Sequence, residues 1–296
     1  MNLFKKFLDY ARFSTGDFEK LFKDIEMPSC PQVVTTLMKK LGEPDIDIDQ
    51  IVPLLESDAS LAAQILKITN SALYGLPGKV TTIGKAVSLL GLNEISNIAI
   101  GYAMTKTVKD PGKAGFNIEL YWTDSIFRAI FAKKAAEFVG VESDEAFSAG
   151  LLQDIAIPIL MDRWFHLYKD VFETWLDGNS RLHEVEDKIL SWNHAQAGAW
   201  ISKSWQLPDI FTCSIGLHTT SVEDVNALGL SNTVVLPVAI SNKLSLAFED
   251  QSPWELAISE AATVGMNQDK LFEMVDEAKS MVSSIAEALG IRAYQA

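Results

Sequence analysis

Apolar residues recur along this chain at spacings of three and four, which is the period of a helix buried along one face. Residues 32–41 carry Val33, Val34, Leu37 and Leu41 on such a face. Residues 47–57 carry Ile48, Ile51, Val52 and Leu55 in the i, i+3, i+4, i+7 pattern. Asp47 and Gln50 have the spacing of a capping box, but Pro53 would then fall inside the helix and remove a backbone bond, which moves the expected start toward Asp49. Asp58 is placed to cap a helix bearing Leu61, Ala62, Ile65, Leu66 and Thr69, with Asn70 and Gly75 after its end. Thr81 or Thr82 caps the next, with Ile83, Ala86, Val87 and Leu90, and Gly91 closes it. Asn93 is the expected cap of a helix carrying Ile95, Ile98, Ala99 and Tyr102.

The run from Lys109 to Gly115, with Pro111 and Gly112, reads as a linker. Beyond it the pattern predicts helices over 119–139, 144–162, 164–177, 181–191, 194–205 and 208–218, where Pro208 suits a first turn. A loop is expected near 219–231, then helices over 232–248, 253–262 and 268–289. Leu271, Val275, Ala278, Val282, Ile285 and Leu289 in the last have a coiled-coil spacing, but the run is short for a seam and a core helix is expected. Strand-like alternation is scarce, and no internal repeat is evident. The chain therefore reads as all-α, in two helical subdomains over 27–108 and 116–292. Residues 1–26 precede them as an amphipathic region in which Phe4, Phe7, Leu8 and Ala11 share a face beside Lys5, Lys6 and Arg12. Such a face suits a membrane surface or the body of the protein, and packing on the body is expected.

With 296 residues the chain has length enough to bury a core without staples. Hydrophobic residues make up 48%, yet no run approaches the ~20 apolar residues of a membrane span, so stable insertion is not expected. No signal-peptide pattern opens the chain, and two cysteines, Cys30 and Cys213, make no disulfide or zinc framework; a cytoplasmic setting follows. A net charge of −14 repels phosphate backbones and argues against nucleic acid as a partner.

Several short motifs stand in order: Met27-Pro28-Ser29-Cys30-Pro31, Glu56-Ser57-Asp58-Ala59-Ser60-Leu61, Asn70-Ser71-Ala72-Leu73-Tyr74-Gly75, Val80-Thr81-Thr82-Ile83-Gly84-Lys85-Ala86 and Leu90-Gly91-Leu92. Tyr121-Trp122, Ala149-Gly150-Leu151-Leu152, His194-Ala195 and Trp205-Gln206-Leu207-Pro208 continue the series. Each is weak alone. As an ordered set, over roughly residues 22–250, they resemble the HD-related output domain (HDOD) family. The resemblance implies a bacterial signal-transduction module whose second half is a degenerate relative of the HD phosphohydrolases. Those enzymes hold metal with a helical His, a His-Asp pair and a later Asp, and the metal makes hydroxide from bound water. The first His falls at Asp124, the His-Asp pair at Gln153-Asp154, and the distal Asp at Asn242.

Two carboxylates and two amides suit a weak magnesium or calcium site at most, not zinc or iron. The four histidines, His166, His183, His194 and His218, show no i, i+4 pair and no zinc spacing, and each reads as a surface or core residue. His218-Thr219 stands where many relatives have two histidines. Asp154 shares a helical face with Phe147, Gly150 and Leu151, so a buried carboxylate bonded to backbone or to Gln153 is expected. Walker spacing and a nucleophile elbow are both missing. The sequence thus points to a non-catalytic regulatory module without cofactor or metal, binding a protein partner or a small ligand. The rival is a metal-dependent phosphohydrolase acting on a nucleotide or phosphoester. The expected working surface lies near Asn70, Tyr74 and Lys79, where Gly75, Pro77 and Gly78 shape a loop, Tyr74 offers a ring with a polar tip, and Lys79 offers a positive charge.

Overall fold

The computed structural model describes Phe18 and residues 29–41, 48–113, 115–141, 143, 145–178, 180–246 and 254–293. The amphipathic face expected over residues 1–26 lies, apart from Phe18, outside the described residues, as does Asp47. Every regular element among the described residues is a helix. None is long and apolar enough to cross a membrane.

The first set of helices is α1 (Gln32–Leu41), α2 (Ile48–Glu56), α3 (Ala59–Thr69), α4 (Ile83–Leu90) and α5 (Leu92–Thr105). Asp58 caps α3 by accepting from the backbone N–H groups of Ser60 and Leu61, and Thr82 caps α4 by accepting from Lys85. Two expectations are corrected here. The helix containing Pro53 starts at Ile48 and carries the proline inside, on its exposed side. Asn93 caps nothing, because α5 already runs from Leu92 after a left-handed Gly91 at φ 86°.

The second set is α6 (Ile118–Val139), α7 (Ala146–Leu152), α8 (Ala156–Arg163), α9 (Phe165–Leu176), α10 (Leu182–Leu190), α11 (His194–Ser204) and α12 (Asp209–Leu217). It continues through α13 (Val222–Ala227), α14 (Val235–Ser241), α15 (Trp254–Thr263) and α16 (Gln268–Leu289). The single helix expected over 144–162 is broken between Leu152 and Ala156, with Gln153, Asp154 and Ile155 in a turn. The loop expected near 219–231 contains α13, capped by Ser221.

One continuous hydrophobic cluster runs from α1 through α16. The stripe of α16 is buried at Leu271, Val275, Ala278, Val282, Ile285 and Leu289, as a core helix requires. That helix packs on both α6 and α3, so it joins the two sets. Between them lies a buried polar tie: Lys133 Nζ on α6 meets Glu94 Oε1 on α5 at 3.0 Å, and the Tyr74 hydroxyl donates to the same oxygen.

Two glycines set close helix crossings beneath the site. A Cβ on Gly150 of α7 would stand 2.9 Å from the Ala129 Cα and 3.2 Å from the Arg128 carbonyl of α6. A Cβ on Gly198 of α11 would stand 2.6 Å from Ile215 Cγ2 of α12. The first crossing brings the turn after α7 against Arg128. The second brings the start of α11 beside the end of α12.

Candidate functional site

Three segments distant from it in sequence converge on Asp154. This residue is 3% exposed and stands in the turn between α7 and α8. Oδ2 accepts from Arg128 Nη1 at 2.5 Å. Oδ1 lies 3.2 Å from His194 Nε2 and 3.1 Å from His218 Nε2, and those two nitrogens lie 3.1 Å apart. This corrects the expectation that Asp154 bonds backbone or Gln153; His194 and His218 are core residues, and the fold brings them together on this carboxylate. Gln153 turns away instead: its Nε2 donates to the Gly150 carbonyl at 3.0 Å and reaches Ser241 Oγ at 3.5 Å.

Local structure fixes both imidazoles. Asn193 and Gln196 cap α11 reciprocally, which sets His194 as its first residue. The His194 backbone N–H donates to Glu186 Oε2 at 2.9 Å, and its Nδ1 meets the same oxygen at 2.6 Å. Glu186 is wholly buried, and its other oxygen accepts from the Tyr168 hydroxyl. His218 ends α12, where its Nδ1 meets the Ile215 carbonyl at 2.6 Å. A carbonyl and a carboxylate can only accept, so both Nδ1 atoms carry protons and both Nε2 atoms face Asp154. Two nitrogen lone pairs and a carboxylate oxygen so close together require a cation between them.

One proton meets that requirement. Burial opposes a charged His194, but Glu186 and Asp154 on its two sides outweigh it and raise its pKa to about 10. Burial lowers the pKa of His218, and the charge on His194 adds to that, so His218 stays neutral. Burial alone would raise the Asp154 pKa; the Arg128 charge and the two imidazoles outweigh it and hold the group well below the usual carboxylate range. Arg128 also donates from Nε to the Leu244 carbonyl at 2.8 Å, and its Nη2 stands 3.7 Å from Asp124 Oδ2. Asp124 is itself satisfied by Ser245 Oγ at 2.6 Å and the Leu246 N–H at 2.7 Å.

The metal implied by kinship with the HD phosphohydrolases finds a poor donor set at the four matching positions. Asp124 and Asp154 share the Arg128 guanidinium, Gln153 is turned into the α7–α14 contact, and Asn242 stands at the end of α14 on the cavity wall. A fixed cation already occupies the free side of the Asp154 carboxylate. A second set is better in donor type. Asp154, His194 and His218 have ligand atoms within 4.8 Å of one another and could hold a metal ion. Their imidazoles have the acceptor-bound Nδ1 usual in histidine ligands, and the proton on His194 is what an ion would displace. The sequence reading missed this set, although His194-Ala195 and His218-Thr219 both stood among the noted positions.

A cavity of about 490 Å³ opens over this cluster. Asp124, Ser125, Arg128, Asp154, His194 and Asn242 are among its lining residues. Phe116, Tyr121, Phe172 and Trp175 line another side, with ring centroids 6.0 Å apart for Phe116–Tyr121 and Phe116–Phe172 and 5.1 Å for Phe172–Trp175. Arg181, His183 and Lys243 complete the wall. Burial, with Arg181 and other positive groups nearby, pushes the His183 pKa down to about 2; burial pushes that of Lys243 down to about 8.

The expected surface near Asn70 lies apart from this cavity. Asn70 clamps its own loop, donating to the Val80 carbonyl at 2.8 Å and accepting from the Val80 N–H at 2.7 Å. Tyr74 is half-buried against Glu94, and Lys79 is exposed.

The HDOD domain family matches residues 27–221, well over half of the chain, with Arg128, Asp154, His194 and His218 inside the match. The chain belongs to the HDOD family. Among solved structures, an HDOD domain protein from Geobacter sulfurreducens superposes with a TM-score of 0.68 at 23% identity, covering 95% of this chain and 96% of that one. A candidate phosphohydrolase from Shewanella amazonensis SB2B gives 0.69 at 20% identity, over 92% and 97%. A candidate signal transduction protein from Marinobacter aquaeolei VT8 gives 0.66 at 23% identity, over 91% of this chain and 60% of that one. At these identities the likeness establishes the HDOD fold. A curated relative, an uncharacterized protein of Treponema pallidum, is 21% identical over 195 residues, and the match spans only 37% of its length.

Proposed function

We propose that this HDOD chain is a non-catalytic signalling module, acting in the bacterial cytoplasm, whose cavity receives a small regulatory ligand. A protein partner reads the bound state. The observation that carries this reading is the Arg128 guanidinium, held 2.5 Å from Asp154 Oδ2 and within 3.7 Å of Asp124. A metal-dependent hydrolase needs its carboxylates free to hold an ion that turns water into hydroxide. Here both carboxylates face one guanidinium, a side chain that activates no water. What is kept is a walled cavity with an apolar side and a few polar groups, the usual form of a small-molecule site. The partner surface we assign to the loop around Asn70, Tyr74 and Lys79, where the exposed Lys79 offers a positive charge to an acidic partner.

Turnover of bis(p-nitrophenyl) phosphate, p-nitrophenyl phosphate and nucleoside triphosphates, measured with added magnesium, manganese, iron(II) or zinc, tests the reading. The expected rate equals that of the Asp154→Asn variant. Metal-dependent turnover by the wild type that disappears in both Asp154→Asn and His194→Gln would establish the phosphohydrolase instead.

A further inference from the structure

The chemistry of the cavity wall narrows the ligand, on the reading above that this cavity is a ligand site. The chain carries a net charge of −14, yet among the described residues three of its cations, Arg128, Arg181 and Lys243, line this one cavity beside two carboxylates, Asp124 and Asp154. Both carboxylates already have their partners in Arg128, Ser245, Leu246 and the two histidines. Arg128 is engaged with both of them and with the Leu244 carbonyl. Lys243 Nζ donates to the Thr220 carbonyl at 2.7 Å and stands 3.8 Å from Glu260 Oε2.

Arg181 differs from the other two. Its Nε is taken by Glu184 Oε1 at 3.2 Å, but its Nη1 is buried and has no hydrogen-bond partner among the described residues. A buried donor left unpaired costs roughly 1–3 kcal/mol, more where it is charged, and a guanidinium is suited to grip a carboxylate or phosphate with two donors. Arg181 follows directly on the loop after α9, whose last turn carries Trp175, and Phe172 and Phe116 extend that aromatic surface along the same cavity. Flat apolar surface therefore adjoins a guanidinium that is paired with Glu184 through Nε and keeps one donor nitrogen unpaired among the described residues.

We propose that the cavity binds a small organic anion with a flat, apolar body, Arg181 taking the anionic group and the face of Trp175 and Phe172 taking the body. Lys243 lines the same cavity as a second positive charge. A nucleotide, an aryl phosphate and an aromatic carboxylate all share this chemistry. The apolar wall disfavours inorganic phosphate alone.

Two dyes of similar shape separate the parts of the proposal: 8-anilinonaphthalene-1-sulfonate, an anion, and N-phenyl-1-naphthylamine, its uncharged counterpart. Fluorescence titration of the full chain, with stoichiometry from calorimetry and folding checked by circular dichroism, should give one anionic dye per chain, bound about tenfold more tightly than the neutral one. Arg181→Gln should abolish that preference and leave the neutral dye unaffected, while Arg181→Lys keeps most of it. Trp175→Ala should weaken both dyes. If the neutral dye binds as well as the anion, or Arg181→Gln leaves the anion's affinity unchanged, the anion assignment is wrong although the cavity stands. If neither dye binds in a way that Trp175→Ala alters, the ligand site itself is wrong, and the proposed function falls with it.

Discussion

Replacing Arg128 by methionine isolates the contribution of the internal cation, because methionine keeps an apolar stem of similar length and removes only the guanidinium. Arg128 is largely buried, and so are the carboxylates it serves on Asp124 and Asp154. Removing one partner of a buried ion pair typically costs about 3–5 kcal/mol, since the other charge stays buried. Here Asp154 keeps two imidazole neighbours, and Asp124 keeps the Ser245 hydroxyl and the Leu246 N–H. The lower end of that range, about 3 kcal/mol, is therefore expected. With a urea m-value of about 3 kcal/mol/M, the upper end for small proteins, the unfolding midpoint should fall by about 1 M. The same change frees Oδ2 of the Asp154 carboxylate whose Oδ1 faces His194 and His218, so a divalent ion should now substitute for the lost charge. Added manganese or zinc should raise the midpoint of Arg128→Met and leave the wild type nearly unchanged, and elemental analysis should find metal retained only by the variant. A loss under about 1 kcal/mol, or equal stabilisation of both proteins by the ion, would refute the view that Arg128 stands in for a metal.

Two further outcomes follow from buried charges elsewhere. Lys133→Met should cost about 3 kcal/mol by leaving the Glu94 carboxylate buried without its ammonium partner, and adding Glu94→Gln should recover part of the loss; a double-mutant cycle with coupling near zero would show that the pair does not tie the two helix sets. His183 titrates near 2 in the fold against an ordinary 6.5, so below pH 6.5 the unfolded chain binds a proton that the folded one does not. Its stabilising share is present above pH 6.5 and lost as the pH falls, and the stability difference between wild type and His183→Asn should shrink from pH 7 to pH 4; parallel curves would contradict the assignment.

The helical architecture was legible wherever a helix buries one stripe and exposes the rest. In α16 each apolar position marked by spacing is buried. Periodicity told less about α5, which buries Glu94, Ser96 and Asn97 along with its apolar residues, because a helix enclosed on all sides has no polar face to mark its orientation. It was silent on the break after Leu152, since the apolar pattern continues through residues 153–155 while the chain turns to present Asp154. It also passed over α13, a six-residue helix too short to show a period.

The site was half legible for a related reason. Asp154 could be found from its place in a motif, but its partners Arg128 and His218 lie 26 and 64 positions away, and no local spacing joins them. A signal did exist in α6. From Tyr121 to Phe127 every residue of that helix is buried, Asp124 among them, and burial resumes from Ala129 to Lys133. A helix so enclosed cannot send its charges into bulk water, so each must meet an opposite charge or a hydrogen-bonding group in the interior. The i, i+4 spacing of Asp124 and Arg128 would ordinarily mark a weak pair on a solvated face. On a helix without such a face it marks an internal guanidinium in need of a second carboxylate, and Asp154 is the carboxylate the fold supplies. The same reasoning places Lys133 against Glu94. Charges on a helix segment buried on every side are thus the ones to follow first, because their burial is affordable only where partners have been built around them.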